Sequence, residues 1–152
     1  MSPPPFRKVL IANRGEIAIR IARACADLAL RSVAIYSADD SASLHAAKAD
    51  EAVALEGSGV AAYLDGDAVI AAAKRAGCDA IHPGYGFLSE RADFARKVEE
   101  AGLVFVGPAP EALALFGDKA QARDLAARIG APTPPGRQPI RAPAEAGAFF
   151  AS

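Results

Sequence analysis

Two glycines and a tyrosine stand close together in the stretch IHPGYGFLSE, Ile81 to Glu90. Gly84 and Gly86 can adopt backbone angles that other residues avoid, so a ligand or a neighbouring domain can approach this backbone closely. Tyr85 between them offers a flat ring and a hydroxyl. We place the stretch at the carboxyl end of a parallel strand, where open α/β sheets bind ligands. The sequence therefore predicts a contact loop here.

A lysine at the start of a predicted helix is a second candidate, in the stretch FGDKAQARD. Lys119 follows the predicted N-cap residue Asp118, and the first turn of a helix already carries partial positive charge. The two positive charges together attract an anion, and phosphate is the candidate anion. From the residues alone, an ordinary exposed surface lysine remains the default interpretation of Lys119.

A third candidate is the stretch ANRGEIAIRIARACADL, which follows the first predicted strand. Gly15 stands where a nucleotide-binding turn brings its backbone close to phosphate. The dinucleotide fingerprint G-x-G-x-x-G is incomplete, because Ile17 and Arg20 follow without further glycines. Asp39 and Asp40 could mimic the acid that binds a ribose, but we favour a role as caps of a turn.

The histidines and cysteines give no pattern of a metal or nucleophile site. His82 has no evident carboxylate partner, and His45 lies on a short predicted helix, so both are interpreted as structural. Cys25 and Cys78 lie far apart without CxxC spacing, which favours neither a disulfide framework nor zinc. Free cysteines of this kind suit the reducing cytoplasm.

The helix predicted from Gly15 to Leu28 has an apolar stripe and a charged arc. The charged arc contains Arg20, Arg23 and Asp27. Both an ordinary solvated face and a subunit interface are compatible with this arc, and the forked donors of arginine suit an interface. The apolar stripe is predicted to face the sheet, which makes Cys25 a core residue; it comprises Ile17, Ile21, Ala24, Cys25 and Leu28.

Short β-branched runs alternate with longer helical patterns, which predicts βαβ units around a parallel sheet. The predicted fold class is α/β with a five-stranded parallel sheet, followed by a short helical segment. The predicted strands are Lys8 to Ala12, Ser32 to Ser37, Glu51 to Leu55, Asp79 to His82 and Leu103 to Val106. The remaining predicted helices are Asp67 to Ala76, Arg91 to Ala101 and Asp118 to Ile129.

A proline-rich stretch divides the end of the chain from the rest. APTPPGRQPIRAP holds five prolines in thirteen residues, which is typical of a linker. We predict a folded domain over residues 6–131, a linker over 132–143 and the beginning of a further domain over 144–152.

Composition excludes several classes of function. The formal net charge is -1, with 23% charged and 52% hydrophobic residues, so there is no basic excess to attract nucleic acid or anionic lipid. No stretch approaches the ~20 apolar residues of a membrane span. We therefore expect neither a nucleic-acid partner nor a membrane partner.

Five stretches together resemble a known family. KVLIANRGEIAIRIARAC, HAAKADEAVAL, AIHPGYGFLSE, FVGP and FGDKAQAR come in the order and approximate spacing of the N-terminal domain of biotin carboxylase. That component serves acetyl-CoA, propionyl-CoA, methylcrotonyl-CoA and pyruvate carboxylases. The resemblance covers residues 6–136 and implies a Rossmann-like three-layer domain that precedes an ATP-grasp domain, whose first residues would be 144–152.

The resemblance also implies an activity and roles for six residues. ATP and bicarbonate would form carboxyphosphate, whose carbon passes to biotin, with Mg²⁺ or Mn²⁺ bridging phosphates. Lys119 matches a lysine that contacts ATP, and Tyr85 and Gly86 match the loop beside the biotin ring. Arg20, Arg23 and Asp27 match positions at the subunit contact of a family homodimer.

The family's lid over ATP, its acidic metal ligands and its bicarbonate and biotin groups have no counterpart in this sequence. The resemblance therefore predicts no catalytic residue and no metal ligand within these residues, and an inactive isolated chain. The expected partners are the ATP-grasp and C-terminal domains of the carboxylase, the biotin carboxyl carrier and bicarbonate. Two alternatives stay open: a non-catalytic nucleotide-binding or interaction module of a split ATP-grasp enzyme, and a nicotinamide-dependent oxidoreductase.

Overall fold

The structure is a computed structural model, and it describes residues 6–133. The strands of its sheet run in the order β3-β2-β1-β4-β5, and each neighbouring pair is parallel. This confirms the predicted α/β fold with a five-stranded parallel sheet. The strands are Lys8–Ile11 (β1), Arg31–Tyr36 (β2), Glu51–Ala54 (β3), Ala80–His82 (β4) and Val104–Phe105 (β5).

Helices connect the strands and follow the last one. Two of them, α3 and α6, were not predicted, because each begins beside the glycines or prolines that are typical of turns. The helices are Gly15–Asp27 (α1), Leu44–Lys48 (α2), Gly59–Leu64 (α3), Gly66–Arg75 (α4), Ala92–Glu100 (α5), Pro110–Gly117 (α6) and Lys119–Arg128 (α7), and a 3₁₀ turn covers Ala38–Asp40.

The three central strands of the sheet, β2, β1 and β4, are buried on both faces, as strands of parallel sheets are. Side chains of a strand alternate between the faces, so Val9 and Ile11 of β1 pack with α1, whereas Leu10 packs on the other side. The second face is covered by α4 and α5 through residues such as Val69 and Val98. Three layers result, and they hold the carboxyl ends of the strands in fixed positions.

The buried stripe of α1 differs from the predicted one at two residues. Cys25 is buried as predicted, but Ala24 and Leu28 are exposed, and Ala18 and Ala22 are buried in their place. Leu28 lies one residue beyond the last residue of α1, and its side chain is 62% exposed. The prediction was wrong there because the helix ends before its pattern of apolar residues does.

A polar cluster stabilises the opposite, amino-terminal end of β2. Ser32 is 2% exposed, and both its backbone N–H and its hydroxyl donate to Asp50 Oδ2 at 2.7 Å. The N–H of Asp50 donates in return to Ser32 Oγ at 3.1 Å. This cluster lies at the amino-terminal ends of the strands, away from the carboxyl ends. A substitution in it therefore serves as a control for substitutions at the carboxyl ends.

The described residues pack as two units, which divide after Leu113. The first unit contains the sheet, and the second contains α7. Of the predicted domain organisation, residues 134–152 lie outside the described residues. The boundaries at 131 and 143 therefore stay predictions.

Candidate functional site

The loops after β1 and β4 lie side by side at the carboxyl edge of the sheet. Ile11, the last residue of β1, pairs with His82, the last residue of β4. The N–H of Ala12 donates to the His82 carbonyl at 2.8 Å, which extends the pairing by one residue. The contact loop predicted from the sequence therefore begins at the centre of the sheet, beside the loop that leads into α1.

Asn13 joins the two loops. Its Nδ2 donates to the Pro83 carbonyl at 2.8 Å and to the Tyr85 carbonyl at 2.9 Å, and its Oδ1 accepts from the N–H of Arg14 at 2.9 Å. The side chain is 4% exposed. Asn13 thus uses both amide hydrogens and its carbonyl oxygen, and it fixes the backbone on either side of Gly84.

The two glycines of the loop have different requirements. Gly84 has φ +69°, and a Cβ there would lie 2.7 Å from Asn13 Nδ2. Gly86 has φ +63°, but a Cβ there would meet nothing within 4 Å. Both positions favour glycine through backbone conformation, and Gly84 also needs its missing side chain because Asn13 fills that space.

His82 contributes to the loop through its ring. The N–H of Gly84 donates to His82 Nδ1 at 3.0 Å, so Nδ1 carries no hydrogen and the neutral ring is protonated at Nε2. Burial lowers the pKa of His82, which favours this neutral form. His45 is also buried, with its Nε2 3.0 Å from the Ile35 carbonyl. Both rings hold backbone in place, as their structural interpretation expects.

Tyr85 lies at the surface of the loop, with 59% of its area exposed. Its hydroxyl donates to Glu16 Oε1 at 2.8 Å, and this hydrogen bond raises the pKa of Tyr85. Arg20 lies 3.9 Å from the other carboxylate oxygen of Glu16. The ring face of Tyr85 is therefore available to a ligand, while its hydroxyl is oriented by α1.

A stack of side chains supports the loop from the side of β2. Tyr63 is fully buried, and its ring stacks on Phe87 with a centroid separation of 5.7 Å. The Tyr63 hydroxyl donates to Asp40 Oδ2 at 2.8 Å, which also accepts from Arg14 at 2.9 Å. Phe87 has φ +46°, a strained conformation for an aromatic residue. The Tyr63 stack helps to hold it there.

Asp40 is the charged centre of this support. Burial by itself raises the pKa of Asp40, but hydrogen bonds from Tyr63 and Ser43, together with the charge of Arg14, outweigh burial and lower it overall. Asp40 is therefore ionised at neutral pH. Asp39 accepts from Ser37 Oγ at 2.7 Å and from the N–H of Gly59 at 2.8 Å. Each aspartate accepts from one serine of its own turn, Ser37 for Asp39 and Ser43 for Asp40, which agrees with the favoured turn role. Each also binds a group that is distant in sequence, so the turn role is only part of what they do.

The predicted interface residues Arg20, Arg23 and Asp27 are all exposed on α1. The side chain of Arg20 is 69% exposed, and its weak contact with Glu16 leaves the guanidinium accessible. Their exposure is compatible with both interpretations of the charged arc. The subunit contact stays a prediction.

Lys119 lies in the second unit, as the first residue of α7. Asp118 caps this helix by accepting from the N–H groups of Ala120 and Gln121 at 2.8 and 3.1 Å. These hydrogen bonds lower the pKa of Asp118, and the bonds from Gln121 contribute most. Lys119 is exposed, in the position beside its cap that the sequence predicts.

Neither a metal cluster nor a membrane segment is found in the described part of the chain. Within residues 6–133, His, Cys, Asp and Glu form no group of three or more that could hold a metal ion. Over the same range, no helix is both long enough and apolar enough to cross a bilayer.

Both cysteines are free and buried. Burial raises the pKa of Cys78 to about 11. Burial is also the main cause that raises the pKa of Cys25, and the charge of Asp50 raises it further. Both thiols are therefore inert core groups.

Comparison with known families decides what kind of domain this is. Residues 5–113 match the family described as biotin carboxylase, N-terminal domain. The chain belongs to this family. The matched region of this biotin carboxylase N-terminal domain includes the whole sheet, Asn13 and the loop around Tyr85, and it ends where the first packing unit ends.

Curated relatives of this biotin carboxylase N-terminal domain are carboxylases that are much longer than this chain. Pyruvate carboxylase of Bacillus subtilis is 57% identical over 139 residues, which are 90% of this chain and 12% of the relative. A putative urea carboxylase of Emericella nidulans is 53% identical over 133 residues, which are 88% of this chain and 11% of the relative. The chain thus spans about an eighth of the length of these relatives.

Solved structures agree with this assignment. The biotin carboxylase domain of a single-chain bacterial carboxylase superposes with a TM-score of 0.91 at 56% identity, covering 95% of this chain and 34% of that one. Urea amidolyase of K. lactis superposes with a TM-score of 0.83 at 49% identity, covering 86% of this chain and 8% of that one. The three-layer fold is therefore that of biotin carboxylase domains.

The sequence predicted a role for Tyr85 and Gly86 of this biotin carboxylase N-terminal domain but none for the residues that support them. Asn13, Tyr63 and Phe87 had no assigned role, although each contacts or belongs to the loop. One signal was present for Asn13, because it comes directly after the first predicted strand, at the sheet edge where the loop was placed. Tyr63 had no such signal, since α3 was not predicted.

Proposed function

We propose that this domain forms one wall of the biotin-carboxylating site of a biotin-dependent carboxylase. The intact enzyme would carboxylate biotin with bicarbonate while cleaving ATP to ADP and phosphate. The observation that carries this proposal is the fixed, glycine-containing loop with an exposed Tyr85 at the carboxyl edge of the sheet, within a chain of the biotin carboxylase N-terminal family. The names of the relatives, pyruvate and urea carboxylases, support the same class of reaction.

Tyr85 and Gly86 are the residues that we propose to lie beside biotin. A fused, largely apolar ring needs a flat surface without protruding side chains. Gly86 leaves its side of the loop open, because nothing lies within 4 Å of the position of a Cβ. Tyr85 adds an exposed ring whose hydroxyl is held by Glu16 at 2.8 Å. The loop can thus present backbone groups and a ring edge to the cofactor.

Lys119 is the residue that we propose to contact ATP. It is an exposed cation at the first position of α7, where the N-terminal helix dipole adds positive potential. The carboxylate of Asp118 is occupied by two backbone N–H groups, those of Ala120 and Gln121. A phosphate group of ATP would therefore find both a lysine and a helix N-terminus, an arrangement suited to anions.

The described residues do not fit a metal-ligand set, since residues 6–133 bring together no acidic cluster. Mg²⁺ or Mn²⁺, if it accompanies ATP, is proposed to be held outside this part of the chain, and no step here depends on it. We also propose no catalytic residue among the described ones and an inactive isolated chain, because the family's ATP lid and its bicarbonate and biotin groups have no counterpart in this sequence.

The proposed partners follow from the same family. They are the ATP-grasp and C-terminal domains of the carboxylase, the biotin carboxyl carrier and bicarbonate. A homodimer contact through Arg20, Arg23 and Asp27 is proposed because all three are exposed on one helix. We propose a cytoplasmic location, in keeping with two free, buried cysteines.

A chimera tests the proposed function directly. This chain would replace the matching 139 residues of the Bacillus subtilis pyruvate carboxylase, and ADP formation would be measured with and without bicarbonate and free biotin. We expect ADP formation that requires both. A chimera that melts cooperatively, like the parent enzyme, but cleaves no ATP in response to biotin would contradict the proposal.

Replacing Lys119 by alanine in this chimera is expected to raise the KM for ATP by roughly tenfold or more, as loss of a charge-assisted hydrogen bond does. Steady-state rates at varied ATP and saturating bicarbonate and biotin give this value. Lys74→Ala removes an equally exposed lysine from the last turn of α4 and serves as the control. Equal KM values for ATP in the two variants would remove the phosphate role of Lys119.

A further inference from the structure

Asn13 is the only asparagine of the sequence, and it lies in the interior between two loops. With 4% exposure, it is one of four buried polar or charged residues within the part of the chain that the structure describes. A buried amide must be fully hydrogen-bonded, and Asn13 meets this requirement only by donating to the backbone of that loop. Its burial therefore commits its hydrogen bonds to one function.

The two acceptors of Asn13 are the carbonyl oxygens of Pro83 and Tyr85, at 2.8 and 2.9 Å. A trans peptide is planar, and its C=O and N–H point in opposite directions. Holding the Tyr85 carbonyl toward Asn13 therefore turns the N–H of Gly86 to the opposite side of the chain. Holding the Pro83 carbonyl does the same for the N–H of Gly84, which donates to His82 Nδ1 at 3.0 Å.

The packing leaves Asn13 no alternative position. A Cβ on Gly84 would lie 2.7 Å from its Nδ2 and 3.1 Å from its Cβ, so the amide rests directly against the Gly84 backbone. Oδ1 is fixed from the other side by the N–H of Arg14 at 2.9 Å. The side chain is thus clamped between the start of α1 and the loop.

We propose that Asn13 is a positioning residue for the carboxylation of biotin, which it serves by fixing the orientation of the Tyr85–Gly86 peptide. This inference rests on the proposed function. Asn13 is buried beneath the loop and hydrogen-bonded to it, so it would act through the loop that we propose to lie beside biotin. A loop displaced by an ångström would lose alignment with the ring, and misplacement on that scale costs roughly 100-fold in rate.

The test uses the chimera described above with Asn13→Asp and Asn13→Ala. Asn13→Asp keeps the shape but replaces two donors with a carboxylate that faces two carbonyl oxygens. We expect kcat/KM for free biotin to fall by roughly 100-fold, while the KM for ATP stays within about twofold, as expected for a site outside the loop. Equal kcat/KM values for biotin in the variants and the unsubstituted chimera would overturn the inference.

Ser32→Ala separates positioning from a general loss of stability. It removes a buried hydroxyl that is bound to Asp50 at the opposite edge of the sheet, so it destabilises the same fold without reaching the loop. We expect its kcat/KM for biotin to remain within about twofold of the unsubstituted value. If Ser32→Ala lowers kcat/KM for biotin as much as Asn13→Ala does, the effect of Asn13 is structural only and the inference is wrong.

Hydrogen exchange on the 152-residue chain gives a second measurement, which does not depend on the activity of the chimera. We expect Asn13→Ala to speed exchange of the Gly84 N–H by roughly tenfold or more, the loss of about one hydrogen bond, with the N–H groups of β2 unchanged. Unchanged exchange at Gly84 would show that Asn13 does not hold the loop. If the unsubstituted chimera is inactive but Asn13→Ala still speeds exchange at Gly84, only the proposed function is contradicted. If Asn13→Ala speeds exchange at Gly84 but leaves kcat/KM for biotin unchanged, the positioning role of Asn13 is overturned.

Discussion

Replacing Gly84 by alanine is expected to lower the free energy of unfolding by about 2–5 kcal/mol. Two costs add up to this value: about 1–2 kcal/mol for placing a residue with a side chain in the left-handed conformation, and about 1–3 kcal/mol for overpacking. The φ of +69° disfavours alanine, and the new Cβ would lie 2.7 Å from Asn13 Nδ2. Asn13 cannot yield without losing its bonds to Pro83 and Tyr85. Urea unfolding of the chain followed by circular dichroism measures the change.

Gly86→Ala is the matched control for Gly84→Ala. Its φ of +63° is nearly the same, but its Cβ would meet nothing within 4 Å, so it should cost only the conformational part, about 1–2 kcal/mol. The double variant Asn13→Ala/Gly84→Ala should be less destabilised than the sum of the two single variants, because the clash is gone. Equal losses for Gly84→Ala and Gly86→Ala would mean that Asn13 moves aside freely.

The centre of the sheet could be predicted from the sequence because the strands β1, β2 and β4 are buried on both faces. Runs such as KVLI and SVAIY are almost continuously apolar, and each of the five predicted strands overlaps an observed one. The helices α4 and α5 were found because Gly77 and Gly102 follow their ends, with φ of +65° and +78°. Local patterns were sufficient wherever local conformation determined the element.

The elements that were missed depend on contacts that are distant in sequence. The helix α3 has only six residues and follows the turn-like stretch EGSG, so neither its length nor its start is typical of a helix. It is stabilised by Tyr63, which is buried in the main core cluster. Leu28 fits the helical apolar pattern but lies beyond the end of α1, where the chain turns through Ala29 at φ +55°.

The residues of the candidate site also differ in whether local sequence or distant contacts define them. Tyr85, Gly86 and Lys119 could be named because their motifs are local and resemble a family. Asn13 could not, since its partners lie 70 and 72 positions away and are brought to it by the pairing of β1 with β4. A single sequence gives the strands but not which of them are neighbours, so it cannot show which loops meet.

Replacing Tyr63 by alanine is expected to lower the free energy of unfolding by about 3–5 kcal/mol, the usual cost of removing a large buried aromatic side chain. Tyr63 is fully buried, stacks on Phe87 and donates to Asp40 at 2.8 Å. Urea unfolding measures the loss, which is roughly a fifth or more of the 5–15 kcal/mol that is typical of a domain. A loss below about 1 kcal/mol would contradict this role.

Tyr63→Phe divides that effect between the ring and the hydroxyl. Phenylalanine keeps the stack on Phe87 but removes the hydroxyl that donates to Asp40. The buried N–H of Ser37, which lies 3.3 Å from that hydroxyl, also loses its acceptor. The loss of the hydroxyl should lower the free energy of unfolding by about 1–3 kcal/mol. The remainder of the alanine effect belongs to the ring, which supports Phe87 at its strained φ of +46°. Because Phe87 follows Gly86 directly, only the alanine variant should also speed hydrogen exchange in the loop. Equal exchange in both variants would show that the hydroxyl, and not the stack, fixes this end of the loop.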